Sequence, residues 1–194
     1  SLLSFDFSWR ISILVVGQIE IEIRNFRRRT SFVFRILKRF QKVSTRKNFE
    51  VFLTSKLEFG KKFRTIGVDI SEEKIAKYKQ YCDPTGEVSK SEFESAAKLF
   101  VTSDESCVKE ADYIIIAVPT PVDSAHRPDF GPLILASEIA GRNMKRGVVI
   151  IYESTVYPGC TEEDCLPLIE QESGQRAFRL YGLKRIGKGW RDMP

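Results

Sequence analysis

Three polar clusters, each placed directly after an apolar run, are where this sequence could do chemistry. Asp69 closes the run Thr65-Ile66-Gly67-Val68, Thr120 lies between Pro119 and Pro121 after Tyr113 to Val118, and Glu153-Ser154-Thr155 follows Val148 to Tyr152. A carboxylate at such a strand end can accept both hydroxyls of an adenosine ribose and repel a 2′-phosphate, which selects NAD over NADP. It equally suits a cap on the helix that follows. The two prolines stiffen a turn whose backbone and Thr120 hydroxyl can face a ligand. The third cluster adds two hydroxyls and a carboxylate, as a polar turn also would.

These clusters share an edge only if the apolar runs are neighbouring strands, and the sequence rhythm says they are. Thr65 to Asp69 is followed by Ser71-Glu72-Glu73-Lys74, a helix opening. Ser89-Lys90-Ser91-Glu92 fits a capping box and starts a helix through Leu99, with Phe100-Val101-Thr102 as a short strand beyond. Tyr113 to Val118 and Val148 to Tyr152 are apolar throughout, as in strands buried on both faces. Between them, Leu133, Ala136, Ala140 and Met144 form one stripe of a helix over 132–145. Thr161-Glu162-Glu163-Asp164 reads as a second capping box, opening a helix that carries Pro167. Strands alternating with helices indicate βαβ units in a doubly wound parallel sheet, whose ligands bind beyond the carboxyl ends of the strands.

Composition divides the 194 residues into unlike parts. Residues 1–62 hold 14 Lys and Arg against 5 Asp and Glu, while residues 63–194 hold 17 against 21. Nine of the 14 phenylalanines fall in the first part. Arg27-Arg28-Arg29 and the interleaved Phe32, Phe34, Arg35, Lys38, Arg39 and Phe40 suit either a basic extension without a partner or an arm for nucleic acid or an acidic membrane. No zinc-finger or RNP-like pattern supports the arm. The longest aliphatic runs, Ile13-Leu14-Val15-Val16 and Tyr113 to Val118, are far shorter than the roughly 20 residues of a membrane span. No secretory signal is visible, and Cys82, Cys107, Cys160 and Cys165 form neither a CxxC pair for a metal nor a disulfide framework, so a cytoplasmic setting is expected. His126, in the loop from Asp123 to Asp129, reads as a solvated residue.

One feature of a dinucleotide fold is missing from the sequence. The fingerprint Gly-x-Gly-x-x-Gly belongs some 20 residues before the acidic strand end, around residues 45–52. There is no glycine at all between Gly17 and Gly60. The expected fold is therefore an α/β, partial Rossmann-like, doubly wound parallel sheet lacking the first strand and the glycine-rich loop.

Leu57 to Ile70, Val118-Pro119-Thr120-Pro121-Val122-Asp123 with Arg127-Pro128-Asp129, and Tyr152-Glu153-Ser154-Thr155-Val156-Tyr157-Pro158-Gly159-Cys160 through Cys165 resemble the UDP-glucose/GDP-mannose dehydrogenase family. The likeness is greatest to its members acting on UDP-N-acetylhexosamines. It implies oxidation of a sugar C6 alcohol to a carboxylate, with two hydride transfers to NAD, for surface polysaccharides. It also implies a homodimer and a separate domain for the UDP-sugar. By position, Asp69 would hold the adenosine ribose with Lys74 beside it, and Val118, Pro119, Thr120 and Thr155 would line NAD. Thr155 and Glu153 would lie nearest the reacting carbon. Cys160 and Cys165 do not match the family's nucleophile and read as packing residues.

The chain departs from the family before residue 57 and after about residue 176, so the resemblance implies a basic Phe-rich extension over 1–56, a partial NAD-binding domain over 57–176 and a divergent tail over 177–194. The Ser-Pro-Glu-Arg segment of the substrate loop and the catalytic Lys, Asn, Cys and Asp positions have no counterpart here. The abrupt changes of charge and of phenylalanine content predict family-like sequence flanked by out-of-frame translation. The opening Ser1 predicts a start that is not a natural one.

Overall fold

The structure is a computed structural model, described for residues 12–16, 51–84, 86, 88–121, 128–154, 156–175 and 179–182. Its centre is a six-stranded sheet in the order β3-β2-β1-β4-β5-β6. The strands are β1 (Ser12–Val16), β2 (Thr65–Asp69), β3 (Leu99–Thr102), β4 (Tyr113–Ile116), β5 (Val149–Tyr152) and β6 (Arg179–Gly182). This is the doubly wound order in which dinucleotides bind where the strand sequence reverses. The neighbours β2 and β3, and β4 and β5, pair in parallel, as the apolar runs predict, and β5 and β6 pair in parallel as well.

The central strand differs from expectation. Its slot is filled, by Ser12–Val16, and the strand runs antiparallel to both neighbours. Ser12 lies opposite Asp69 and Val16 opposite Thr65, while Ile13 faces Ile116 and Val16 faces Tyr113. What the chain lacks among its described residues is thus the parallel first strand with its turn, not a strand in that position. The physical reason is pairing: β2 and β4 both present buried backbone groups to the slot, and such groups must find partners. A five-residue apolar segment meets that need in either direction.

Helices cover both faces. On one side α1 (Val51–Lys62), α2 (Glu72–Lys79) and α3 (Lys90–Ser95) gather Leu53, Leu57, Ile75, Tyr78, Phe93, Ala96 and Val101 into a core. On the other, α4 (Gly131–Asn143) and α5 (Leu166–Ser173) pack Leu133, Ala136, Ile139, Ala140 and Ile169 against Ile13, Ile66, Val68, Ile114, Ile116 and Ile150. Among the described residues no helix is long and apolar enough to cross a membrane.

Side-chain caps set the starts of α2 and α3, whereas the capping box expected before α5 is not formed. Ser71 caps α2 by accepting from the Lys74 N–H, and Ser89 and Glu92 form a complete capping box on α3. At 161–164 there is no capping box: Thr161 is buried, and Thr161–Cys165 is a π-helical turn closed by the Leu166 N–H on the Thr161 carbonyl. Pro167, which has no N–H to give to a regular helix, stands in the first turn of α5, so the wider turn absorbs it.

The domain limits expected at 56 and 176 do not coincide with the sheet. Helix α1 begins at Val51, β1 comes from the basic extension, and β6 lies beyond 176 yet pairs along β5 from Arg179 to Gly182.

Helix α1 approaches the sheet through two glycines. A Cβ on Gly67 would stand 3.0 Å from Cδ of Lys56, a fully buried lysine whose ammonium lies 5.6 Å from the centre of the Tyr78 ring. A Cβ on Gly60 would stand 2.7 Å from Cβ of Leu99 and 3.2 Å from its backbone nitrogen. Alanine at position 60 gains about 1 kcal/mol of helix propensity, but overpacking against a strand backbone costs about 1–3 kcal/mol. Gly60→Ala is therefore expected to destabilise the fold by a net ~1 kcal/mol, read as a lower urea midpoint; an unchanged or raised midpoint would contradict this packing.

Candidate functional site

The carboxyl edge of the sheet carries the three polar clusters. Asp69 ends β2 and is 1% exposed. Its Oδ1 accepts the Ser71 N–H at 2.9 Å, and its Oδ2 lies 3.8 Å from the Lys74 ammonium. Asp69 thus braces the turn into α2. Lys74 stands beside it on the first turn of that helix, close enough to balance its charge.

Across the slot, β4 and β5 end together. The Glu153 N–H donates to the Ile116 carbonyl at 2.8 Å, which carries their pairing one step past the strands. Ser154 then joins the two loops. Its Oγ accepts the Val118 N–H and donates to the Val118 carbonyl, both at 3.0 Å, and the serine is 3% exposed. Val118 turns its backbone to Ser154 and its side chain to the core, which leaves Pro119 and Thr120 as the more exposed part of that turn. Both carboxylate oxygens of Glu153 are shielded from solvent. Thr155 and His126 lie outside the described residues.

Sequence reasoning placed Ser154 among polar turn residues and missed its role as the bolt between loops. The signal was a hydroxyl immediately after a strand buried on both faces, where no water can satisfy the neighbouring backbone. Beneath it, the buried Tyr152 hydroxyl bonds Ser137 Oγ at 2.8 Å, and Ser137 donates to the Leu133 carbonyl, tying β5 to α4. Further out, the Phe130 and Tyr157 rings meet edge to face at 5.7 Å, and the Tyr157 hydroxyl donates to Asp164 at 2.7 Å.

Two of the four cysteines are placed for packing, as the sequence implies. Cys160 and Cys165 are buried on the π-helical turn. Burial pushes the Cys160 thiol up to about 12, and burial likewise raises Cys165. Neither is a ready nucleophile, since the thiolate is the reactive form. Among the described residues no group of three or more His, Cys, Asp and Glu is arranged to hold a metal ion.

A dinucleotide asks three things of this edge: a carboxylate for the ribose, a strand-to-helix turn for the pyrophosphate and a β4–β5 surface for the nicotinamide end. The described residues place a carboxylate at the end of β2 and the joined β4–β5 loops on the same edge, and among them no turn leads from β1 into α1. With β1 reversed, Val16 leaves the sheet beside Thr65, at the opposite edge from Asp69. No glycine between Gly17 and Gly60 offers a close backbone approach.

Two measurements check this geometry. Ser154→Ala strips the buried Val118 N–H of its partner and is expected to destabilise the fold by about 1–3 kcal/mol, with faster hydrogen exchange at Val118; wild-type exchange at that amide would refute the bolt. In a thiol titration of the native chain, the exposed Cys82 should react first and Cys160 and Cys165 only on unfolding. Rapid labelling of either buried thiol would contradict the packing.

Residues 53–184 match the NAD binding domain of the UDP-glucose/GDP-mannose dehydrogenase family. The chain is 43% identical over 137 residues to a UDP-N-acetyl-D-glucosamine 6-dehydrogenase of Pseudomonas aeruginosa, which covers 69% of this chain and 32% of that protein. It is 44% identical over 135 residues to Protein CapL of Staphylococcus aureus, covering 68% of this chain and 32% of that protein. Among solved structures, UDP-D-ManNAc dehydrogenase of Pyrococcus horikoshii superposes with a TM-score of 0.57 at 30% identity, over 67% of this chain and 32% of its own. The chain thus spans about a third of the length of these relatives. The matched domain is the family's NAD binding domain, and in this chain Asp69, Pro119–Pro121 and Glu153–Ser154 lie on one edge of the sheet. By sequence and by fold alike, this chain belongs to the UDP-glucose/GDP-mannose dehydrogenase family.

Proposed function

We propose that this chain is the cofactor-domain part of an NAD-dependent UDP-sugar 6-dehydrogenase, a cytoplasmic enzyme that oxidises a sugar C6 alcohol to a carboxylate for polysaccharide precursors. The observation that carries this reading is the juxtaposition of Asp69, the Val118–Pro121 turn and Glu153 on one edge of a sheet with the doubly wound order. Asp69, balanced by Lys74, is assigned to the adenosine ribose. Pro119 and Thr120 are assigned to the wall of the nicotinamide end, with Val118 holding that wall through Ser154. Glu153 and Thr155 are assigned to the side nearest the reacting carbon. The UDP-sugar and a second subunit belong to the longer relatives, and this chain offers no domain for the sugar among its described residues.

The chain on its own does not turn over a UDP-sugar in this reading. It is a fragment: family sequence flanked by segments of other composition, without the glycine-rich turn. The nucleotide sequence upstream of residue 57, read in another frame, is expected to encode Gly-x-Gly-x-x-Gly, and its absence from every frame would refute the frameshift.

Calorimetric titration of the full chain with NAD tests the assigned edge. Weak binding is expected, weakened about tenfold further by Asp69→Ala, or ~1.4 kcal/mol. Asp69→Asn, which keeps an acceptor for the Ser71 N–H, separates loss of the ribose contact from loss of the turn. NAD affinity indifferent to both substitutions, with both variants folded by thermal melting, would remove Asp69 from the site.

A further inference from the structure

The sheet ends on β3, and among the described residues no strand pairs along its outer side. Its inner side is taken by β2 in parallel, with Thr65 opposite Leu99 and Val68 opposite Thr102, and the Thr65 N–H donates to the Lys98 carbonyl at 3.0 Å. Successive residues of a strand turn their backbone groups to alternate sides. Lys98, Phe100 and Thr102 therefore serve β2, while Leu99, Val101 and Ser103 turn theirs outward. The Leu99 N–H is spent locally on the Ala96 carbonyl at 2.9 Å, which leaves the Leu99 carbonyl and both groups of Val101 for an outer neighbour. The side chains alternate too. Val101 is buried in the core under α1, α2 and α3, whereas Phe100, in register with Ile66, falls on the opposite face and is 54% exposed. An open cleft of about 230 Å³ lies beside Leu99, Phe100 and Val101, lined also by Tyr78, Tyr81 and Phe93, so the described residues do not cover this edge.

We propose that β3 is a docking strand for a second copy of this chain, pairing antiparallel with its own counterpart about a two-fold axis at Val101. The backbone sets that register. In an antiparallel pair, residues that exchange both hydrogen bonds alternate with residues that exchange none. Val101 has both groups to give, so it faces Val101 of the other copy, and the Leu99 carbonyl then receives the Ser103 N–H across the pair. Side chains fit the same register. Phe100 stands opposite Thr102 and diagonal to the other Phe100, an aromatic and β-branched neighbourhood of the kind that stabilises sheets, and the exposed rings cover one another. Charge agrees as well: Lys98 and Asp104, both exposed and flanking the strand at opposite ends, come face to face twice. Such a contact closes on itself and satisfies two free edges at once. The inference goes beyond the cofactor reading and does not depend on it, because pairing along the side of β3 leaves the carboxyl edge, with Asp69 and Glu153, open.

Two measurements on the full chain decide it. The first is sedimentation equilibrium from about 1 μM to about 1 mM, the range in which a small interface dissociates. The wild-type chain should pass from monomer to dimer. Phe100→Glu, which sets a carboxylate diagonal to its own copy and to Asp104, should weaken the dimer at least about tenfold with an unchanged melting temperature. The second is oxidative cross-linking in a Cys82→Ser, Cys107→Ser background. Phe100→Cys chains mixed with Thr102→Cys chains should link readily, since a non-hydrogen-bonded pair brings Cα atoms to about 4.5 Å. Lys98→Cys chains should not link to one another, because six residues of strand hold them about 20 Å apart. A wild-type chain that stays monomeric overturns the proposal, and slow hydrogen exchange at Val101 in that monomer would assign the edge to another segment of the same chain. A dimer indifferent to Phe100→Glu, or Lys98→Cys chains linking as fast as the mixed pair, overturns it too. Should Phe100→Glu fail to fold, the cross-linking decides alone.

Discussion

Everything in this structure depends on one unforgiving requirement: two parallel strands buried on both faces, β2 and β4, stand one strand apart and must have a third between them. Their inner edges carry backbone donors and acceptors that no water can reach. Whatever apolar segment the chain can bring there will be held, because the alternative is a row of unsatisfied groups in the core. The sheet's demand is for pairing, and pairing is indifferent to chain direction in a way that a ligand site is not. A fold can be completed by a strand that runs the wrong way for its function.

The half of the edge built from β4 and β5 shows the opposite relation, in which the same contacts serve fold and site together. Ser154 satisfies both backbone groups of Val118, and the Glu153 N–H extends the strand pairing onto Ile116. Tyr152 below is fixed to α4 through Ser137. These bonds are buried, so breaking any of them leaves an orphan, and the loops they hold keep their relative position without a ligand. The prolines on either side of Thr120 add stiffness where hydrogen bonds end. Between Asp69 and Val118 the slot is filled by the reversed strand.

What was legible in the sequence follows the same division. The apolar runs after residue 63 gave β2, β4 and β5 to within a residue or two, since strands buried on both faces have a pattern of their own. Ser71 and Ser89 marked two helix starts because a cap is a local device that its own neighbours decide. The apparent box at Thr161 failed for the reason that local rules fail: Pro167 six residues on altered the hydrogen-bond spacing, and the turn widened with Thr161 buried inside it. The direction of β1 was not legible at all. Ile13 to Val16 was visible only as an aliphatic run, and neither its partner nor its polarity is encoded within five residues. The strand at Arg179–Gly182 was hidden likewise, because an edge strand needs only one neighbour and its composition resembles a loop.

Helix α1 shows how far a fold will bend to keep this arrangement. Leu53, Lys56, Leu57 and Gly60 are spaced as one face of a helix, and that face meets the sheet. A lysine in such a stripe is a conflict, because an ammonium resists burial. It is accommodated because Gly67 opposite has no side chain and leaves a channel along which the aliphatic stem lies, while Tyr78 offers the face of its ring to the charge. The accommodation needs a glycine in β2, an aromatic residue in α2 and a helix close enough to use both. Those neighbours belong to the matched domain, and Lys56 stands near the point where that match begins at residue 53. Family membership here describes a framework that holds a buried lysine and a reversed strand within one sheet and its covering helices.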